Sequence, residues 1–258
     1  MTTARARRRI RAALAVCGAV AVAATVSGCG DDGDGGPVQK HTFAFSGTKL
    51  TIKAGDSGVR VAPGDVKGVH VERQVHGWVV LGHGPDATWR LDGHTLTLDV
   101  KCSGFAADCG ARQSVLVPRG VAVTVESTNG KVEASGFATP LSVRTDNGSA
   151  EARDSSGPVT LRSRNGSVAA YGITGKKVTA SSDNGRIHLG FSAVPDRVDV
   201  TSRNGGIRVD LPAGHTAYAV DATVRNGSTD IGVPRDGYST HTVEAHADNG
   251  GISVHAAN

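Results

Sequence analysis

In the second half of the chain, aliphatic residues return at fixed offsets from a recurring Asn-Gly pair. The pair stands at Asn129-Gly130, Asn147-Gly148, Asn165-Gly166, Asn184-Gly185, Asn204-Gly205, Asn226-Gly227 and Asn249-Gly250, and successive asparagines are 18, 18, 19, 20, 22 and 23 residues apart. Six positions before each Asn lies an aliphatic residue (Val123, Leu141, Val159, Val178, Val198, Val220, Val243), and four before lies another apolar one, from Val125 to Ala245. Two before, the residue is mostly small, as in Ser127, Thr145 and Ser163. Three and five after, mostly apolar residues resume, as in Val132 with Ala134 or Ile207 with Val209. Polar residues such as Glu126, Arg144, Arg162 and Thr201 fill the positions between. Alternation at period two predicts strands with one buried face.

From two before the Asn to three after is an odd step, so the alternation slips once at each Asn-Gly. A chain that keeps the same face inward on both sides must turn a corner there, and Gly, which has no Cβ to clash at positive φ, suits a corner. Each copy is then a strand, a corner, a second strand and a variable return. An Asn-Gly pair ordinarily marks a type I′ hairpin, so a row of hairpins, as in a sandwich or propeller, is the alternative. Hairpins give no reason for five matched columns down seven copies. Parallel stacking does, because each residue then lies over its counterpart and the asparagine amides can bond from rung to rung. The predicted fold is an all-β parallel solenoid with about seven regular rungs over residues 120–258.

The pattern reaches further back in damaged form. In LTIKAGDSGVRV, Asp56 takes the Asn position, and Leu50, Ile52, Ala54, Val59 and Val61 fall in the same five columns. From Gly64 to Arg119 the period is lost, but strand-like runs remain, with both tryptophans, Trp78 and Trp89, among them. Residues 41–119 therefore read as an N-terminal β region, a degenerate rung followed by a cap, since an open solenoid end invites edge-to-edge pairing. Composition agrees with an all-β chain: Gly is heavily used, at 35 residues, while Met, Trp, Tyr and Phe together number 11.

Five arginines followed by a short run of small apolar residues mark residues 1–28 as a secretory signal peptide. The run ends in Val26-Ser27-Gly28-Cys29, which resembles the lipobox of bacterial lipoproteins and makes Cys29 the expected lipidation site. Residues 29–40, rich in Gly and Asp, read as a flexible tether. Removing the leader lowers the net charge from +4 to −1, so the basic pI gives no reason to expect nucleic acid. With Cys17 lost and Cys29 lipidated, Cys102 and Cys109 remain outside the membrane. In an oxidising compartment they are expected to form a local disulfide, a zinc site lacking its second ligand pair. Arg outnumbers Lys 20 to 8, which with the Ala, Gly and Val bias suggests a GC-rich, actinobacterial source.

Little in the sequence suggests an active site. No nucleophile elbow, metalloprotease helix or phosphate loop occurs, and neither metal nor cofactor is expected. Glu133 and Glu151 share an outward column, as paired glycosidase carboxylates would, but Ala169, His188 and Arg208 continue it without another acid, and a solvated face is the simpler account. Arg164, Arg203 and Arg225 each precede an Asn, with Arg144 and Arg162 in a nearby column, and could form a basic stripe for anionic wall polymer. Asp146, Asp183 and Asp248 interrupt that stripe.

A lipobox, the DSGVRV rung, a C-x6-C strand pair leading into Val117–Val125 and tandem S-x-N-G-x-I-x-V units together resemble the DUF4097 family. Its members are described as candidate adhesins of β-strand repeats, similar in style to right-handed β-helix heads of autotransporter adhesins. The resemblance implies a right-handed β-helix and no catalytic residues. The expected function is a lipid-anchored, non-catalytic adhesion or binding module on the outer face of the bacterial cell membrane. Its expected partners are the membrane and an envelope polysaccharide or surface protein, and no nucleic acid. The alternatives are a scaffold or sensory partner in envelope stress signalling, and a polysaccharide-active β-helix enzyme.

Overall fold

The computed structural model describes residues 36–257, so the signal peptide, Cys29 and most of the tether lie outside the described residues. The chain opens with β1 (Gln39–Ala44), β2 (Lys49–Ala54), β3 (Gly58–Gly64) and two long strands, β4 (Gly68–Asp92) and β5 (Thr95–Pro118). Paired strands then follow, one pair per rung: β6 (Ala122–Asn129) with β7 (Val132–Ser135), β8 (Leu141–Asn147) with β9 (Ala150–Arg153), and β10 (Val159–Asn165) with β11 (Val168–Ile173). The remaining pairs are β12 (Lys177–Asn184) with β13 (Ile187–Phe191), β14 (Arg197–Asn204) with β15 (Ile207–Leu211), β16 (Ala219–Asn226) with β17 (Thr229–Gly232), and β18 (Thr242–Asn249) with β19 (Ile252–Ala256).

First strands pair in parallel with first strands and second with second, in the register of the sequence columns. Val159 pairs with Val178 and with Leu141, and Val168 with Ile187 and with Ala150. The architecture is a parallel β-solenoid. Its interior is one continuous apolar cluster in which Val125, Leu161, Val198, Val200 and Val209 are fully buried. β-Branched residues dominate because they fit a half-buried pleated surface. The degenerate rung takes the expected place: Leu50 pairs with Val123, Ile52 with Val125, Val59 with Val132 and Val61 with Ala134.

The last two rungs are not stacked in sequence order. β14 pairs with β18, and β18 pairs with β16 on its other side, while β15, β19 and β17 follow the same order. The Asn249 rung is therefore inserted between those of Asn204 and Asn226, and the Asn226 rung forms the end of the column. An end rung has a neighbour on one side only, and its columns reflect that: Val220, Ala222 and Val224 are only half-buried and Thr229 is exposed. The insertion predicts that the pair Thr201→Cys and His246→Cys, on directly paired positions about 4.8 Å apart, will cross-link on mild oxidation. Thr201→Cys with Thr223→Cys, two rungs apart, will not, and non-reducing electrophoresis distinguishes the two.

At the other end β5 makes a further rung. Its start, Thr95–Leu98, pairs with β2, and its close, Arg112–Pro118, pairs with β3. β4 covers β5 in antiparallel fashion, and β1 covers the start of β4. Arg73, almost fully buried, locks this cap: its guanidinium lies 3.9 Å from the Trp89 ring centre, and its Nε donates to Gln39 Oε1 at 2.7 Å. Between Leu98 and Arg112, where other rungs turn a short corner, β4 and β5 run outward together as a two-stranded ear. Cys102 and Cys109 are disulfide-bonded, with Cα atoms 6.4 Å apart. Seven extended residues would span over 20 Å, so the ear folds back on itself between them.

Candidate binding surface

The corners form one edge of the column, and the asparagines run along it as a ladder. Nδ2 of Asn147, Asn165, Asn184 and Asn204 each donates to Oδ1 of the preceding Asn at 2.8–3.0 Å. Asn249 donates to Asn204 at 2.9 Å and Asn226 to Asn249 at 3.0 Å, following the inserted order, while Asn129 donates to Asp56 in the degenerate rung. Just inside, the buried hydroxyls of Thr145 and Ser163 both donate to the Gly148 carbonyl at 2.8 Å, and Ser182 donates to that of Gly166 at 3.0 Å.

Each glycine of the corner is stacked on the next. A Cβ on Gly148, Gly166 or Gly185 would lie 2.0–2.1 Å from the carbonyl oxygen of the glycine one rung below. Positive φ is confined to Gly130, Gly205, Gly227 and Gly250 in this set. The sequence argument from positive φ is thus corrected for Gly148, Gly166 and Gly185, where close approach of neighbouring rungs excludes a side chain.

The column immediately before the asparagines reads, in spatial order, Thr128, Asp146, Arg164, Asp183, Arg203, Asp248 and Arg225. Beyond Thr128 the charges alternate without a break, which they do not in sequence order. Arg164 lies 3.3 Å from Asp146, Arg203 3.3 Å from Asp183 and Arg225 3.5 Å from Asp248. The aspartates that interrupt the expected stripe are the ion-pair partners of Arg164, Arg203 and Arg225, so the broken basic stripe is a set of three ion pairs. Two cations nearby stand differently. Arg144 and Arg162 are directly paired positions on neighbouring strands, both exposed, and neither has an ion-pair partner among the described residues. Further along the same face, Ser181, Thr201, His246 and Thr223 line an open groove of about 490 Å³ whose rim carries the Arg203–Asp183 and Arg225–Asp248 pairs.

On the second strands, Glu133 and Glu151 are neighbours as expected, but they are not a solvated pair. Glu151 is buried, and Lys131 bridges the two carboxylates, with Arg60 on Glu133 at 2.7 Å and Arg153 on Glu151. Hydrogen bonds from Lys131 and then Arg60 hold the Glu133 carboxyl below its ordinary value of 4.5. An acid kept ionised in this way cannot act as a proton donor near neutral pH.

Three rungs contribute a network that the sequence columns did not single out. His188 Nε2 meets Asp210 Oδ2 at 2.6 Å, Tyr171 Oη lies 3.4 Å from His188 Nδ1, and Arg208 Nε donates to Asp210 at 3.0 Å. Burial pushes the Asp210 carboxyl up, but hydrogen bonds from Arg208 and His188 outweigh it and leave the group below 3.8. His188 and Arg208 share a column and Tyr171 and Asp210 occupy the one two residues on, so only the rung register brings the four together. The group braces the face across three rungs.

Both lowered carboxyls tie stability to pH. A folded pKa below the unfolded one gives stability that is present above the unfolded value and lost as pH falls through the folded value. The melting temperature should therefore fall as pH drops below about 4.5. Glu133→Gln should melt lower than wild type at pH 7, and the gap should close towards pH 3.

The family model described as Toastrack DUF4097 matches residues 48–256, the stretch that holds the asparagine ladder and the rungs. The chain belongs to the Toastrack DUF4097 family. In this Toastrack chain the match runs from the degenerate rung to the last strand. Among solved structures it is similar to a "putative adhesin" from Parabacteroides merdae, with 10% identity, 85% of this chain and 96% of that chain covered, and a TM-score of 0.43. A "putative cell adhesion protein" from Clostridium sporogenes shares 9% identity over 86% of this chain and 99% of that one, with a TM-score of 0.38. No curated protein matches the Toastrack chain. Among the described residues, no cluster of three or more His, Cys, Asp or Glu is placed to hold a metal ion.

Proposed function

We propose that this Toastrack protein is a lipid-anchored, non-catalytic binding module of the bacterial cell envelope, which holds an anionic polymer or protein surface on the outward face of its first strands. The observation that carries this reading is that Arg144 and Arg162, neighbours in a column where Glu126 pairs with Arg144 in register and lies 3.9 Å from Lys53, make no ion pair themselves, on a face where the neighbouring Asp–Arg column is internally neutralised. Two guanidiniums at strand spacing suit carboxylate or phosphate groups on a repeating polymer. The carboxylates that could have served hydrolysis, Glu133 and Glu151, are committed to Lys131, Arg60 and Arg153.

Mature protein applied to an array of acidic and neutral envelope glycans should bind acidic members. Arg144→Ser with Arg162→Ser should abolish that binding and leave the melting temperature unchanged. Binding that survives both substitutions would reject the site, and no binding to any glycan would favour the signalling-scaffold reading. The anchor is tested separately: Cys29→Ala should move the protein from the membrane to the soluble fraction, and unchanged fractionation would remove the lipoprotein reading.

A further inference from the structure

The ear is an apolar surface at one end of the column. Of the large hydrophobic side chains exposed among the described residues, Trp78, Val80, Leu81 and Phe105 all lie on it, with Leu81 86% and Phe105 88% exposed. Val38 and Leu116 are at the same end, and Tyr238 alone lies in the loop beside the opposite end rung. The ear is uncharged from Gly77 to Gly82 and from Ser103 to Ala107, and His76, His83, Lys101 and Asp108 flank these runs in the chain. Leu81 is held at a φ of 52°, a left-handed value uncommon for a bulky residue, so a large apolar side chain is retained where a turn would ordinarily favour Gly or Asn. Exposed apolar patches of this kind mark interaction sites.

The course of the chain indicates what covers it. Gly36 N donates to Val75 O at 2.8 Å, at the base of the ear, where Gly77 and Trp78 pair with Cys109 and Asp108. Gly36 lies seven residues along the chain from Cys29, and seven fully extended steps reach at most about 25 Å. A lipid on Cys29 would therefore keep the ear, and not the far end of the column, against the bilayer. Trp near the neck with Leu and Phe at the tip is the order expected at a membrane interface, where Trp sits at headgroup depth and aliphatic and Phe side chains sit deeper. We propose that the ear is a lipid-binding surface that docks the column on the membrane, end-on, with the disulfide Cys102–Cys109 holding the apolar tip in shape. This rests on the anchor reading above for its orientation, while the contact with lipid is measurable by itself.

The chain has two tryptophans, and Trp89 is covered by Arg73, which makes Trp78 the reporter. Full-length protein floated on phosphatidylcholine vesicles should lose much of its tryptophan emission when the lipid is replaced by brominated phosphatidylcholine. Trp78→Phe should lose that response, and Leu81→Ser with Phe105→Ser should weaken it. Equal emission in plain and brominated lipid from protein that co-floats with the vesicles overturns the proposal. So does a dimer that Phe105→Ser dissociates and in which Trp78 is shielded from bromine, because the ear would then cover a second copy. Mass spectrometry of Cys29 reports the anchor independently: without a lipid adduct the anchor reading falls, and the quenching result still decides the ear.

Discussion

Val198→Asp should unfold the column or cost it more than about 4 kcal/mol, while Thr201→Asp, three residues along the same strand, should change stability by no more than about 0.5 kcal/mol. Val198 is fully buried between Val178 and Val243, its partners on the two adjacent first strands. A carboxylate there has no cation or donor within the apolar cluster, and burying an unpaired charge is among the few mechanisms that produce very large losses. Burial would instead raise its pKa and protonate it, which still leaves an unsatisfied polar group in place of two methyls. Thr201 faces solvent beside Ser181 and His246, where a carboxylate stays hydrated. Chemical denaturation of the two variants checks the prediction, and equal effects would show that the two faces had been exchanged.

That face assignment was legible because a strand's period is two and each rung repeats its neighbour's chemistry. Even the damaged rung at Asp56 could be placed, since Leu50, Ile52, Val59 and Val61 keep the columns that packing requires. The insertion of the Asn249 rung could not be reached the same way, because column matching fixes the register of rungs but not their order. The signals were present in weaker form. The two longest intervals flank Asn226, Val224 replaces the usual Ser or Thr, and Thr229 stands where Ile or Val is usual. The Asp–Arg column carries the clearest one, since two arginines adjoin in sequence order and none do in space. The ear was legible only as a loss of period: its pairing partners lie on β4 and β5, outside the repeat, and its composition is that of any apolar hairpin. The brace of Tyr171, His188, Asp210 and Arg208 depends on diagonal contacts between neighbouring rungs, which no single column contains.

Gly166→Ala should be destabilising by about 3 kcal/mol, toward the upper end of the range for overpacked sites, although Gly→Ala at an open position commonly adds stability by reducing the freedom of the unfolded chain. The added Cβ would lie 2.1 Å from the Gly148 oxygen and 2.6 Å from its carbon, both backbone atoms. No rotamer change relieves that contact, so the two rungs must separate at the corner. Separation is costly because the same Gly148 oxygen accepts from Thr145 and Ser163, and the adjacent Asn165 donates to Asn147 at 2.9 Å. Two buried hydroxyls and a step of the ladder are strained by one methyl group. Gly237 is the control, since nothing lies within 4 Å of a Cβ built there and its φ is not positive, and Gly237→Ala should be neutral or slightly stabilising. The contrast separates two explanations of the Asn-Gly repeat. If Gly served only turn conformation, Gly166, whose φ is not in the left-handed range, would accept Ala as readily as Gly237 does. If the corner glycines are set by the spacing between rungs, Gly166→Ala should lower the melting temperature sharply, and Gly148→Ala and Gly185→Ala, with the same contact to the rung below, should follow it.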